Sequence, residues 1–148
     1  FSMLLNIVGS SNAKTKEVLW KFIKKFHSEL DPKNHKILDE LTNYAINYFI
    51  DEVEPKKKYK KPNDSEQKAL KNLISVLKQV SQDTPAEEIQ TKIYTAGKEN
   101  GYSKNLRDWF KLIYQVCFGE ENGPRMGFFI SFFGVKETID LMEKKLKI

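Results

Sequence analysis

Several residue types that catalytic and metal sites use are scarce in this 148-residue chain. It has one Cys and two His, which excludes a disulfide framework and any zinc site built on cysteines. No apolar run approaches the roughly 18 residues that a membrane span needs. Only two of its 25 basic residues are Arg. These absences argue against a catalytic centre, and a first residue of Phe rather than Met favours a fragment of a longer protein.

The few candidate catalytic side chains are scattered. His27 and His35 lie near a turn with no clustered carboxylate or Cys to complete a metal site, so we expect solvated histidines at helix ends. Cys117 falls on an apolar stripe and is predicted to be a small buried hydrophobe. A nucleophile needs a general base, and neither His has an evident route to this thiol.

Apolar residues recur at helical spacing through most of the chain, and no convincing alternation of period two is present. The pattern predicts an all-α fold, a multi-helix bundle or cage of about seven or eight short helices. The apolar stripes cover residues 18–26, 37–49, 70–80, 89–96, 106–117 and 135–146.

Turn residues agree with this periodicity. Thr84-Pro85-Ala86-Glu87 has the pattern of a capping box, with Thr84 as N-cap and Glu87 reaching back to it. Three glycines are predicted to end helices, the first two as left-handed stops and the third at the end of a short helix. They are Gly101, Gly119 and Gly134.

One segment, residues 54–62, reads as a linker because two prolines bracket a run of lysines. We treat residues 1–148 as one domain, with a possible subdivision into 1–53 and 63–148 at this linker. Lys57, Lys58 and Lys60 are candidates for phosphate contact, which is electrostatic and independent of sequence. An ordinary solvated linker explains the same charge run, and both interpretations stay open.

The last third of the chain holds both arginines, Arg107 and Arg125, in a sequence that otherwise chooses Lys. This choice indicates a need for the planar guanidinium group, which can donate two parallel hydrogen bonds. Its partner is either a structural carboxylate or an RNA phosphate or base edge. Phe128 and Phe132 fall on a different side of their short helix from Phe129. Burial between two helix layers explains them, and so does an aromatic platform for unpaired bases.

Three stretches together resemble the C-terminal region of class I lysyl-tRNA synthetases. The first is the opening F-S-M-L-L-N-I-V-G with the V-L-W that follows it. The second is A-E-E-I-Q-T-K-I-Y-T-A-G-K-E-N-G-Y, which continues into N-L-R-D-W-F, and the third is G-P-R-M-G-F-F-I-S-F-F-G-V. They occur in the family's order and span nearly the whole chain, whereas the lysine run reads as a variable insert.

The resemblance implies an all-helical domain that binds the anticodon arm of lysine tRNAs in the cytoplasm, without DNA or membrane contact. The parent enzyme would be a lysine–tRNA ligase that uses ATP with Mg²⁺ in a separate catalytic domain. The H-I-G-H-like and K-M-S-K-S-like signatures of that chemistry do not occur in this chain. The fragment is therefore expected to bind tRNA without catalysis, cofactor or metal, and its oligomeric state is left open.

Side-chain type and position select the candidate RNA-binding residues, because an anticodon loop is read by stacking and by hydrogen bonds to base edges. Trp109 lies on the apolar stripe and is assigned to the core. Two alternatives remain, a helical protein-interaction module and the anticodon-binding domain of a glutamyl-tRNA synthetase relative. The candidates are Arg125, Phe128, Arg107, Lys111, Lys104 and Asn105, with Lys57, Lys58 and Lys60 of the linker.

Overall fold

The computed structural model describes residues 2–11 and 14–148, and within these ranges it contains helices and no strand, which confirms the all-α prediction. Short segments of π-helix (Phe49–Val53 and Lys98–Tyr102) and of 3₁₀-helix (Glu54–Lys56) extend or join the helices. No described helix has the length and apolar character to cross a membrane. The helices are α1 (Ser2–Ser10), α2 (Lys16–Phe26), α3 (Lys36–Tyr48), α4 (Asp64–Lys78), α5 (Ala86–Gly97), α6 (Leu106–Cys117), α7 (Met126–Phe133) and α8 (Val135–Leu146).

The chain forms two compact units that divide between Lys57 and Lys58. The boundary falls inside the lysine-rich segment 54–62. Unit 1 contains α1 to α3, and unit 2 contains α4 to α8.

Unit 1 is held together by a small apolar core and one polar junction. Ile7, Leu19 and Phe49 are almost fully buried. The indole N–H of Trp20 on α2 donates to Asp39 Oδ1 on α3 at 2.9 Å. Lys16 Nζ lies 2.9 Å from the other carboxylate oxygen, and these two hydrogen bonds, that from Lys16 first, lower the pKa of Asp39. The carboxylate therefore ties α2 to α3.

Unit 2 is built around Trp109 on α6, which is completely buried as the sequence predicts. Its indole N–H donates to the Ile93 carbonyl oxygen on α5 at 3.0 Å. Gly97 lies against the indole ring, and a Cβ at that position would overlap it. Cys117 is also buried, as predicted, and burial raises the pKa of its thiol to about 12.

The glycines predict the helix ends correctly, whereas the predicted N-terminal cap of α5 is absent. Gly101, Gly119 and Gly134 all have positive φ, which confirms them as stops. The capping box at Thr84 is wrong. Pro85, with an extended ψ of 143°, is the residue that precedes α5, and its ring cannot cap the helix. The Thr84 hydroxyl lies 3.1 Å from the Ser81 hydroxyl instead.

A genuine capping box, which sequence reasoning missed, begins α4. Asn63 Oδ1 accepts from the Glu66 backbone N–H at 2.8 Å, and Glu66 Oε1 accepts from the Asn63 backbone N–H at 3.0 Å. Asn with Glu three residues later is the sequence signal, and it lies directly after the lysine run that was treated only as a linker.

The predicted stripe of α3 is half wrong. Ala45 and Phe49 are buried, but Ile37, Tyr44 and Tyr48 are exposed, because the neighbouring helices of unit 1 cover only the face of α3 that carries Thr42, Ala45 and Ile46. The α2 stripe places Leu19 and Ile23 in the core, whereas the side chain of Phe26 lies outside the described part of the structure.

The two histidines differ from each other. His27 follows the end of α2 and is exposed, as predicted. His35 precedes α3 and is only partly exposed, because its Nδ1 accepts the Asp31 backbone N–H at 3.1 Å. His35 is therefore a helix-end histidine, as predicted, but only partly solvated.

Candidate nucleic-acid interface

The start of α7 is fixed to α5 by a buried backbone contact. The Gly127 N–H donates to the Gln90 side-chain oxygen at 2.6 Å. A Cβ at Gly127 would overlap the Ala86 carbonyl oxygen and the Gln90 side chain, so only glycine allows this close approach. The residue positions around Gly127, including Arg125 and Phe128, are therefore set by α5.

Arg125 immediately precedes α7 and forms a two-pronged ion pair with Glu87 in the first turn of α5. Its Nε and Nη2 donate to the two carboxylate oxygens at 3.3 and 3.0 Å. These hydrogen bonds are the main reason that the pKa of Arg125 is raised, and the hydroxyl of Tyr94 adds to it. The sequence left two partners open for the Arg125 guanidinium, a protein carboxylate and an RNA group. The structure shows the contact with a protein carboxylate.

This ion pair lies in water, since the side chain of Arg125 is 47% exposed and that of Glu87 is 66% exposed. Exposed pairs are weak because water competes for both partners. Exchange of the Glu87 carboxylate for a phosphate oxygen replaces one anion by another and leaves the guanidinium geometry unchanged. The pair is therefore compatible with anion binding.

Half-buried aromatic side chains lie beside Arg125, and sequence reasoning assigned no site role to them. The ring centroids of Tyr94 and Phe110 are 5.1 Å apart in an edge-to-face arrangement, and those of Phe110 and Tyr114 are 6.3 Å apart. Tyr114 donates from its hydroxyl to the Pro124 carbonyl oxygen at 2.9 Å, which fixes the residue before Arg125. Burial raises the pKa of Tyr114, so its hydroxyl stays a donor.

The aromatic row continues into the core of unit 2. Tyr114 contacts Phe118, Phe118 packs edge-on against Phe129 at 4.9 Å, and Phe129 stacks on Phe133. Phe129 and Phe133 are buried as predicted. Tyr94, Phe110 and Tyr114 form the outer part of this row, and they lie within the apolar stripes 89–96 and 106–117. Their position there is the sequence signal, but these stripes were interpreted only as core.

Phe128 is 51% exposed, so burial between two helix layers is wrong for this residue. The faces of α7 that pack inward carry Met126, Phe129 and Phe133, and Phe128 projects away from them. It lies three residues after Arg125, and both residues are exposed. Phe132 is partly buried.

The candidates on α6 form a second row of cations. Arg107 and Lys111 are exposed and one helical turn apart, on a face adjoining Phe110 and Tyr114. Lys111 Nζ lies 3.6 Å from the Glu121 carboxylate, in an exposed pair. We call Arg107, Phe110, Lys111, Tyr114, Arg125 and Phe128 the α6–α7 surface.

Lys104 and Asn105 lie just before α6 and differ in what their side chains do. Lys104 is exposed. Asn105 caps the helix, since its side-chain oxygen accepts the Asp108 N–H at 3.3 Å and its amide nitrogen donates to the Asp108 carboxylate at 2.9 Å. Both ends of the amide are thus engaged in local structure.

The lysine run does not lie free in solvent. In unit 2, the backbone N–H groups of Lys58 and Lys60 donate to the carbonyl oxygens of Gly119 and Gln115, at 3.0 and 3.1 Å. Lys60 Nζ pairs with Glu66 at 2.8 Å, whereas the side chain of Lys58 is exposed. In unit 1, Lys57 Nζ lies 5.3 Å from the centroid of the Phe49 ring. The linker candidates therefore fall in two settings, Lys57 in unit 1 and Lys58 with Lys60 in unit 2.

Comparison with known proteins gives one consistent result. The chain is 40% identical over 146 residues to a lysine–tRNA ligase of Rickettsia felis and to one of Rickettsia bellii, and 38% identical to that of Rickettsia rickettsii. Each match covers 99% of this chain but 28% of the relative's length. No protein-family model matches, and no solved structure is significantly similar. The resemblance to lysyl-tRNA synthetases is thus confirmed, and the chain is homologous to one region of the lysine–tRNA ligases.

Proposed function

We propose that this chain is a tRNA-binding region of a lysine–tRNA ligase, and that it contacts the anticodon arm of lysine tRNAs. The observation that carries the proposal is the 38–40% identity to lysine–tRNA ligases along almost the entire chain. The named relatives are lysine enzymes, which favours lysine over glutamate as the amino acid of the complete enzyme. ATP, Mg²⁺ and lysine would bind to a catalytic domain in another part of that enzyme, in the cytoplasm.

The α6–α7 surface is the part of the molecule that we assign to RNA. It combines exposed cations with accessible aromatic edges, which suits phosphates and unpaired bases. The Gly127–Gln90 contact fixes the backbone that carries Arg125 and Phe128, so little backbone ordering remains for the bound state. Lys104 lies next to this surface in sequence and extends its positive charge.

The direct test is titration of a lysine tRNA with the chain at several salt concentrations. We expect the logarithm of the affinity to fall linearly with the logarithm of the salt concentration, because Lys and Arg displace counterions from phosphates. Arg107→Ala and Arg125→Ala should each lower the affinity about tenfold. Lys71→Ala, which removes an exposed lysine of α4, is the matched control and should change affinity about twofold or less.

Glu87→Gln separates an RNA role of Arg125 from a purely structural one. The substitution removes the carboxylate that competes with phosphate for the guanidinium, so RNA affinity should rise. If Arg125→Ala and Glu87→Gln leave affinity unchanged while the thermal unfolding temperature falls for both, Arg125 serves the fold alone. Charging assays of the complete enzyme with lysine and with glutamate test the amino-acid assignment.

A further inference from the structure

The tripeptide Glu-Asn-Gly occurs twice in unit 2, at residues 99–101 and 121–123. An asparagine followed by glycine can modify itself, because glycine has no side chain to hinder the approach of its own backbone nitrogen to the asparagine side chain. The three residues are the same at both places. Any difference in reactivity between the two tripeptides in the folded chain therefore comes mainly from the structure around each.

The reaction is an intramolecular deamidation that needs only water. The glycine N–H loses its proton to hydroxide, its nitrogen forms a bond to the side-chain carbonyl carbon of asparagine, and the amide nitrogen leaves as ammonia. Water then opens the cyclic imide at one of its two carbonyl carbons, which gives aspartate or isoaspartate. In isoaspartate the backbone continues through the side-chain carbons. Either product carries a carboxylate in place of a neutral amide.

The first tripeptide holds its asparagine away from this reaction. The side-chain nitrogen of Asn100 donates to the Ala96 carbonyl oxygen at 2.7 Å and to the Asn72 side-chain oxygen at 3.0 Å. The cyclic imide also requires the glycine nitrogen on the same side of the Cα–C bond as the asparagine Cβ. A backbone ψ of 27° at Asn100 places the Gly101 nitrogen on the opposite side. Both the hydrogen bonds and this backbone conformation have to change before ring closure.

The second tripeptide has no such restraint on its side chain. Asn122 and Gly123 are exposed. Within the described part of the chain, neither the Asn122 side chain nor the Gly123 N–H has a hydrogen-bond partner. The fold nevertheless requires the glycine, because a Cβ at Gly123 would overlap the ring of Tyr114. The reactive pair is thus kept at an accessible position.

This tripeptide borders the α6–α7 surface. On one side of Asn122, the Glu121 carboxylate lies 3.6 Å from Lys111 Nζ. On the other side, Pro124 leads directly into Arg125. A carboxylate at position 122 would add negative charge next to these cations and reduce their attraction for phosphate.

We propose that Asn122 is a site of spontaneous deamidation, and that the carboxylate formed there weakens binding of tRNA to the α6–α7 surface. The first part stands on the comparison of the two tripeptides alone. The second part rests on the proposed function, and it is therefore tested separately.

Peptide mapping by mass spectrometry tests the modification site. Trypsin releases the two tripeptides in separate peptides, residues 99–104 and 112–125. During incubation of the folded chain at mildly alkaline pH, we expect peptide 112–125 to deamidate about tenfold faster than peptide 99–104, because Asn100 must first break two hydrogen bonds. In guanidinium chloride the two rates should become similar. Equal rates in the folded chain, or a faster reaction at Asn100, would overturn the assignment.

Asn122→Gln is the control for this map. The longer side chain cannot close the same five-membered ring, so deamidation of peptide 112–125 should stop although Gln115 is still present in it. Continued deamidation of that peptide in the variant would place the reaction at another residue and overturn the assignment to Asn122.

The effect on RNA is measured with freshly prepared variants. Asn122→Asp introduces the carboxylate, and Asn122→Ser is the uncharged control. At low salt we expect Asn122→Asp to bind lysine tRNA about threefold more weakly than Asn122→Ser, with a smaller difference at high salt. Equal affinities would overturn the effect on RNA. Absence of tRNA binding by the unmodified chain would overturn the proposed function together with this effect, whereas the peptide map decides the modification site independently.

Discussion

Helices α3 and α6 have 13 and 12 residues and similar apolar periodicity, yet they use it differently. α6 buries most of its stripe around Trp109, whereas α3 leaves Ile37 and Tyr44 exposed. α6 is covered from several sides by the other helices of unit 2, while α3 packs within a unit of three helices. The comparison teaches that periodicity identifies an amphipathic helix, but the number of neighbouring helices decides how much of its apolar surface is buried.

The largest expected effect in this comparison is the difference in stability between the Trp109→Ala and Tyr44→Ala variants. Removal of the buried indole should lower the free energy of unfolding by about 3–5 kcal/mol, because it leaves a cavity and removes the hydrogen bond to the Ile93 carbonyl oxygen. Tyr44→Ala should change it by about 0.5 kcal/mol or less, as expected for an exposed side chain. Urea unfolding followed by circular dichroism measures both. Comparable losses would show that the exposed side of α3 contributes to the stability of this chain.

A second test concerns the close approach of α5 and α7. Gly127→Ala should lower the free energy of unfolding by about 1–3 kcal/mol, because the added methyl group overlaps the Ala86 carbonyl oxygen and Gln90. Phe128→Ala, in the same helix but exposed, is the control and should remain within about 0.5 kcal/mol of the parent chain. A Gly127→Ala chain as stable as the parent would mean that α7 can move away from α5 without loss.

The buried thiol of Cys117 makes the core of unit 2 sensitive to alkaline pH. Its folded pKa of about 12 lies above the ordinary value of 9.0, so its contribution to stability is complete below about pH 9 and declines as pH rises toward 12. The slope is about 1.4 kcal/mol per pH unit, since only the unfolded state releases the proton in that range. Urea unfolding from pH 8 to pH 10.5 should show a shallower decline for Cys117→Ala. Parallel declines in the two proteins would contradict this assignment.

Unit 1 should show the opposite dependence, at acidic pH, and a smaller effect. The pKa of Asp39 is lowered by its hydrogen bonds with Lys16 and Trp20, so the stabilisation is present above the ordinary carboxyl range and is lost as pH falls through the folded pKa. Asp39→Asn removes the ion pair at every pH. The variant should therefore be less stable at pH 7 and lose less on acidification, as measured by Trp20 fluorescence in a Trp109→Phe background. An unchanged acid transition would exclude Asp39 as its source.

Much of the fold follows from local sequence patterns. The spacing on α6 places Trp109 and Cys117 in the core, and the glycine at 134 marks the end of α7, because helix periodicity and positive φ are properties of neighbouring residues. The cap at Thr84 fails because the helix begins one residue later than predicted, after Pro85, and because of a long-range contact. Glu87, which was expected to turn back to Thr84, instead pairs with Arg125, 38 positions later in the chain.

The candidate site is less accessible to sequence reasoning, because its geometry depends on pairs that are distant in the chain. The two Arg positions and Phe128 can be selected by residue type. The contact of Gly127 with Gln90 and the ring contact of Tyr94 with Phe110 join different helices, and no local pattern indicates them. The apolar spacing that identifies Tyr94 and Tyr114 is the same for a core residue and for the rim of a binding surface.

The attachment of the lysine run through its peptide groups has a practical consequence. Because the peptide N–H groups of Lys58 and Lys60 donate to the carbonyl oxygens of Gly119 and Gln115, the route of the chain at position 58 does not depend on the exposed side chain there. The charge of the run can therefore be redesigned, for example by replacing Lys58 with Ser, without rerouting the chain. In hydrogen exchange the amides of residues 58 and 60 should stay protected in such a variant. The charge at the exposed position 58 can then be changed while the backbone keeps its route.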